Sequence, residues 1–501
     1  MKGERFMKRI LLLFLVLALL LPTVLLTSCN GKKPNETESS SVTTEASQAI
    51  ETETTVADVI GFDKQNYQTE FKILLNQNAA SDFSVDELAE DALSKSIYNR
   101  NLACEEYLGL ILDFEQKPGN WNSGLADTIR DLIFSNACDY DMVIMGLNTG
   151  IIGGYINIYQ NILEMEYIHP NHSWWIQDLI DQNSINGQLY FLGGDICRSL
   201  YSSIGCVFTN LDVAANFQLG VDFYDLVNEG DWTMEEFFNL FKRVSADDGD
   251  GVFDRTKDTF GWGDCNIGVR LMWSCADIHL IERQSDGTFA LRPSLDDRII
   301  RFVESMKSAC DEPTHSYFAP ADAPSMIDAF VGNRLLFITA MLAHAGTIKA
   351  SGIQSKFAFL PMPKYDASQE DYISTSMPAY NAVYFPVSIA SPERSAQVAE
   401  YMGWYGQKNV IPAYYDETLK YRQNDDEANI EMIELIRQKL RITPNESYGV
   451  IGGLDSIMYL TQADLVNTSE TGFYTTPTSV WKQKYPTIAD TINTYILQYF
   501  Q

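Results

Sequence analysis

The chain has 501 residues, with 36 Lys and Arg against 67 Asp and Glu, for a formal net charge of −31. Charge of that sign is repelled by nucleic acid and anionic lipid headgroups, which excludes those partners and disfavours a polyanionic ligand; otherwise it speaks only for solubility. A body of this length exceeds what one hydrophobic core holds, so two lobes are expected.

In chain order, Lys2, Arg5, Lys8 and Arg9 precede an almost unbroken apolar run from Ile10 to Leu21. That order fits a signal peptide, and the run is short for a membrane span. The run closes on Leu26-Thr-Ser-Cys29, which resembles the lipobox of bacterial lipoproteins. The resemblance implies a signal peptide over residues 1–28, cleavage before Cys29 and lipidation of its sulfur, so that the protein sits outside the cytoplasm, lipid-anchored to the bacterial cell membrane. The alternative is an ordinary secretory signal in which Cys29 is incidental. Loss of four basic residues and one acid, Glu4, would take the net charge from −31 to −34. Residues 29–65 are rich in Ser, Thr and Glu with almost no aromatics before Phe62, and are expected to form a disordered tether.

Phe71-Lys-Ile-Leu-Leu75 reads as a first strand with Asn76 and Asn78 in the loop after it. Leu88, Leu93, Ile97 and Leu102 fall at helical spacing over 86–109. A strand over 110–114, a helix over 122–136 and a strand over 140–146 follow. Strand and helix in alternation predict a parallel α/β sheet, in which ligands bind outside the carboxyl ends of the strands. The seven cysteines beyond Cys29 are scattered, without a CxxC pair or histidines at ligand spacing, so a zinc site is not expected and buried free thiols are the default. Cys265–Cys275 and Cys197–Cys206 are the pairings that remain open.

From residue 186 the text reads Asn186-Gly-Gln-Leu-Tyr-Phe-Leu-Gly-Gly-Asp195, then Val207-Phe-Thr-Asn210, then Gly230-Asp-Trp-Thr233 opening a helix, where Thr233 is a natural N-cap and Trp232 is read as packing. Phe330-Val-Gly-Asn-Arg-Leu-Leu-Phe337, Phe357-Ala-Phe-Leu-Pro-Met-Pro-Lys364 and a helix from Pro392 follow. In this order they resemble the extracellular solute-binding proteins of sugar-type ABC importers, the superfamily of maltose-binding protein. Gly193-Gly-Asp195 departs from the usual turn there, and the C-terminal third is long.

The resemblance implies a periplasmic-binding-protein-like α/β fold: two discontinuous lobes joined by a hinge, with a ligand cleft between them. The first lobe would take 66–192 and 381–430, the second 193–380 and the C-terminal helices over 431–501, with crossovers near 190–200, 375–385 and 425–435. It also implies a monomer that captures a carbohydrate, an oligosaccharide above all, by hinge closure and delivers it to a membrane permease. Sugar hydroxyls need carboxylates and amides, and sugar C–H faces need flat rings. The candidates are Asn76, Asn78, Trp174, Trp175, Asp195, Trp262, Trp273, Tyr380 and Trp404; each has a packing role as its alternative. Asp247-Asp-Gly-Asp-Gly-Val-Phe-Asp254 aligns with a calcium loop through Asp248, Asp250 and Asp254, with Asp258 one residue late for the closing ligand. A solvated acidic turn is the other reading, and no other cofactor is expected. No G-x-S-x-G elbow, H-E-x-x-H or triad-like histidine context occurs, so a binder is expected rather than an enzyme. A secreted carbohydrate-active hydrolase, or a sensor or adhesin, is the alternative.

Overall fold

A computed structural model describes residues 55–118, 125–151, 153, 157–265, 267–310, 314–318, 322–420, 427–449, 477–492 and 494. The signal segment, Cys29 and the tether as far as residue 54 lie outside the described residues. Where the tether was expected to run on to residue 65, the chain instead folds: Val56–Ile60 forms a helix with a Thr55–Asp58 capping box, and Ile60 and Phe62 are buried. Phe62 meets Tyr107 and Tyr167 edge-on, and Tyr107 Oη donates to Phe62 O while Gln65 N donates to Tyr107 O.

The first sheet is built from β1 (Thr69–Asn76), β2 (Leu110–Lys117) and β3 (Met142–Gly146), all parallel, with β1 in the middle. Helix α1 (Ala92–Leu108) links β1 to β2, starting on an Asp91 cap and ending where Gly109 takes a left-handed φ of 63°. It begins later than the apolar spacing suggests: Leu88 lies before it, 83% exposed, and Leu102 is exposed on its outer face. A short helix α2 (Gln177–Asn183) precedes the first passage to the second sheet.

The second sheet holds β4 (Gly205–Asn210), β5 (Ser245–Ala246) and β6 (Thr259–Asp264), followed by β9 (Ser316–Phe318), β10 (Leu335–Met341) and β11 (Phe357–Leu360). Between β6 and β9 stands a separate hairpin, β7 (Ile281–Arg283) and β8 (Phe289–Leu291). In the main sheet the order is β11-β4-β10-β6, with β5 and β9 both on β6. β4 runs against its neighbours, while β10, β6 and β9 are parallel. Helices α3 (Met234–Phe241) and α4 (Gly268–Cys275) cover it. Thr233 caps α3, and Trp232 is wholly buried with its indole donating to Pro361 O. β12 (Asn381–Tyr384) then returns to the first sheet antiparallel to β3, completing the order β12-β3-β1-β2.

After β12 come α5 (Pro392–Tyr405), a π-helical turn (Gly406–Val410) and α6 (Ile411–Lys420), which pack on α1. Helix α7 (Glu427–Gln438) instead packs on β11 of the second sheet. α8 (Pro444–Tyr448) follows.

The first two passages run side by side as an antiparallel ribbon. Gly205 N donates to Thr375 O and Met377 N to Ser203 O, and Ile204 bridges Ser376. The segment after α7 joins them: Ser374 N donates to Lys439 O, and Arg441 N to Ser374 O. Asp82, almost wholly buried in the short helix Ala80–Phe83 that follows β1, ties the ribbon down by accepting from Ser199 N and Arg198 Nε, both at 3.0 Å, and from Asn381 Nδ2 at 3.5 Å.

α8 links the lobes a second time. Tyr448 Oη donates to Asn183 O of α2, while Asn445 Oδ1 accepts from Leu280 N and Ile281 N of the second lobe, at 2.8 and 3.1 Å. Removing that buried amide leaves two amide donors unsatisfied, so Asn445→Ala is expected to lower stability by about 3 kcal/mol, read from the urea midpoint.

Candidate functional site

The site begins with a buried acid. On α5, Ala396, Ala399, Glu400 and Gly403 share one helical stripe, and all four are buried. The Glu400 carboxylate is wholly inside, where each lone pair needs a donor. Trp174 Nε1 donates to it at 2.7 Å and Trp175 Nε1 at 3.0 Å; His169 N donates as well, and His172 Nδ1 lies at 3.1 Å. Gly403 is what lets the tryptophans sit so near, since a Cβ there would run into the Trp174 indole.

The fixed Trp pair positions Asp195. Asp195 N donates to Trp174 O at 2.8 Å, and Trp175 pairs with Gly194. Gly406 in the π-helical turn packs directly on Asp195 O, leaving no room for a side chain. The Asp195 carboxylate accepts from Tyr201 Oη and, at 3.1 Å, from Gln407 Nε2. Burial pushes its pKa up from 3.8 to about 6, against the opposing pull of those two donors.

Trp175 and Asp195 open onto a cavity of about 510 Å³. Its first-lobe wall adds Ser173, Gln177, Asp178, Tyr201, Gln407, Tyr415 and Asp416, and its other wall is the end of α7 with Glu434, Arg437 and Gln438. Arg437 is committed to Glu434 at 2.6 Å, and its guanidinium lies 5.6 Å from the Tyr415 ring centre. That pairing lowers the Glu434 pKa and raises that of Arg437. The Tyr415 hydroxyl is buried with no partner among the described residues. Carboxylates, amides, phenols and an indole on one cavity form a wall suited to a polyhydroxylated solute.

The other expected ligand residues do not join this wall. Asn76 is buried and caps the turn after β1 by accepting from Ala79 N at 2.8 Å, while Asn78 beside it is exposed. Trp262 lies in the second-lobe core against Phe237 and Phe241, its indole donating to Thr339 Oγ1. The Gly-rich text around it reads as surface, but helices cover both faces of β6, and Gly261 lets the Phe241 backbone close onto it. Trp273 is buried on α4 against Phe302, and Tyr380 is wholly buried beside the ribbon. Trp404 packs half-buried on Tyr401 and Tyr405. Asp82 and Glu400 went unnoticed in the sequence; the acid on an otherwise small and apolar helical stripe was the available signal for the second.

The acidic loop gathers differently from the calcium register. Asp247, Asp248 and Asp250 bring carboxylate oxygens within 4.8 Å of one another. Asp258 instead turns inward to accept from Asp248 N and Asp254 N, and Lys257 Nζ pairs with Asp250 at 2.9 Å and Asp254 at 3.7 Å. The four expected ligands therefore do not converge: a lysine ammonium stands among them. Cys197, Cys206, Cys265 and Cys275 are free thiols.

The fold is similar to that of several solved binding proteins. An ABC substrate-binding protein from Listeria monocytogenes in complex with cycloalternan matches with a TM-score of 0.54 at 11% identity, covering 85% of this chain and 99% of that one. The GacH receptor of Streptomyces glaucescens, solved unliganded and with acarbose, gives 0.53 at 11% identity over 86% and 99%. A cyclo/maltodextrin-binding protein complexed with maltotetraose gives 0.53 at 11% identity over 84% and 97%. No family profile and no curated protein matches the sequence. Among the described residues, no helix is long and apolar enough to cross a membrane.

Two outcomes follow from the buried acids. Glu400→Ala strands two indole donors and is expected to cost about 3 to 5 kcal/mol in chemical denaturation, with quenching changes at the Trp pair. For Asp195, a raised carboxyl pKa costs stability as pH climbs from 3.8 to about 6, fully so above it. The stability of Asp195→Asn relative to the parent should therefore rise by about 2 to 3 kcal/mol between about pH 4 and about pH 7, as read by thermal unfolding.

Proposed function

We propose that this chain is the extracytoplasmic, lipid-anchored binding component of an ABC importer, which captures a carbohydrate, an oligosaccharide above all, and delivers it to a membrane permease. The observation that carries this reading is the cavity walled by Trp175, Asp195 and Gln407 from one lobe and by the end of α7, which packs on the sheet of the other. A solute in that space touches groups from both sides of the ribbon, so it favours whichever lobe arrangement brings them together. The amides and carboxylates around the cavity offer hydroxyl partners. Nothing in this chemistry needs a nucleophile; the solute leaves intact, and energy is spent at the transporter. The solved neighbours that bind cycloalternan, acarbose and maltotetraose support a sugar over other polar solutes.

The test is a thermal-shift panel of mono- and oligosaccharides on the full-length chain in detergent, followed by scattering and recovery of the sugar. A ligand at a hundredfold excess over its Kd stabilises the folded state by about 2.7 kcal/mol, a clear rise in midpoint. Compaction in small-angle scattering with intact sugar recovered is the expected outcome. A cleaved sugar would establish a hydrolase instead, and a silent panel would point to a non-sugar solute.

A further inference from the structure

The cavity also carries information about which sugars enter it. Four acids line it, Asp178, Asp195, Asp416 and Glu434, and Arg437 is the one cation among the lining residues. Arg437 is already spent on Glu434 at 2.6 Å and holds its guanidinium over the Tyr415 ring. Asp195 has its oxygens filled by Tyr201 and Gln407, both neutral donors, and feels Arg437 only at a distance. The unpartnered Tyr415 hydroxyl supplies a polar contact that carries no charge. Resting on the sugar-binding reading above, we infer that this site selects by charge: it takes neutral sugars, takes amine-bearing sugars more tightly, and rejects uronic and other acidic sugars.

The physical reason is asymmetry in the wall. A sugar carboxylate entering here would lose water without gaining a free cation, and would face acids across a few ångströms of partly desolvated space. An ammonium on the same ring would find the exposed Asp416 carboxylate. A neutral hydroxyl feels neither effect strongly. Such rejection comes from the wrong partner's cost rather than from extra contacts to the right one.

The experiment is isothermal titration of the full-length chain in detergent with glucose, glucosamine and glucuronate, and with their β-1,4-linked trimers. Within each trio the amine is expected to bind tightest and the uronate at least about tenfold more weakly than the neutral sugar, the spread narrowing in high salt. Glu434→Gln, nearly isosteric, frees Arg437 without emptying the cavity. In that variant the uronate penalty, taken relative to the neutral sugar titrated on the same variant, should shrink at least about threefold. Equal binding across a trio, tighter binding of the uronate, or a penalty unmoved in Glu434→Gln overturns the inference while leaving sugar binding intact. Silence from all six probes overturns it too, and silence of the whole neutral panel takes the sugar reading with it.

Discussion

A carboxylate taken out of water must have its oxygens filled, and Glu400 meets that requirement by gathering two indoles, a backbone amide and an imidazole around one helix. Much of the candidate site follows from this arrangement. The tryptophans cannot move without stranding the acid, so the backbone between them is fixed. That backbone in turn holds Asp195 through Trp174 O. The cavity wall is therefore set by a residue that never touches the cavity, which is how a site on loops acquires the precision of one on a helix.

The lobes are joined with comparable economy. Two passages form a ribbon, a third segment bonds onto Ser374, and Asp82 pins the ribbon to the first sheet. Any bending of one lobe on the other would fall on this narrow band, since packed core flanks it. α8 restrains the band further: its Tyr448 ring lies between Phe191 of the first lobe and Phe289 of β8 in the second, and Asn186 N reaches Gly287 O of the same hairpin. Any relative motion of the lobes would have to slide or break these contacts.

The sheet-and-helix order of the first lobe was legible because its signals are local. Apolar runs of strand length and helical spacing between them depend on neighbours a few residues away, and Asp91 and Gly109 mark their helix ends plainly. What was not legible depends on distant chain. Trp262 and Trp273 lie in polar-looking text yet are covered by residues far along the sequence. Leu88 matched a helical stripe yet lies outside the helix, since spacing alone does not say where a helix starts. Trp175 and Asp195 reach the cavity, whereas Asn76 spends its side chain on the local cap its residue type favours. Ile60 and Phe62 dock the end of the polar leash together with hydrogen bonds to Tyr107 and Leu108, partners some forty residues on that local composition does not reveal.

The return of β12 to the first sheet has a consequence for how the molecule comes into being. As the chain emerges from its amino end, β1, β2 and β3 can pair early, but the outer edge of β3 has no partner until Asn381–Tyr384 appears, with the whole second sheet made in between. Glu400 comes later still, so until then the two indoles have no acid to hold them. A nascent chain of this kind stays loose and presents a bare strand edge through the making of the whole second sheet, which makes it slow to lock and dependent on being shielded from its own copies.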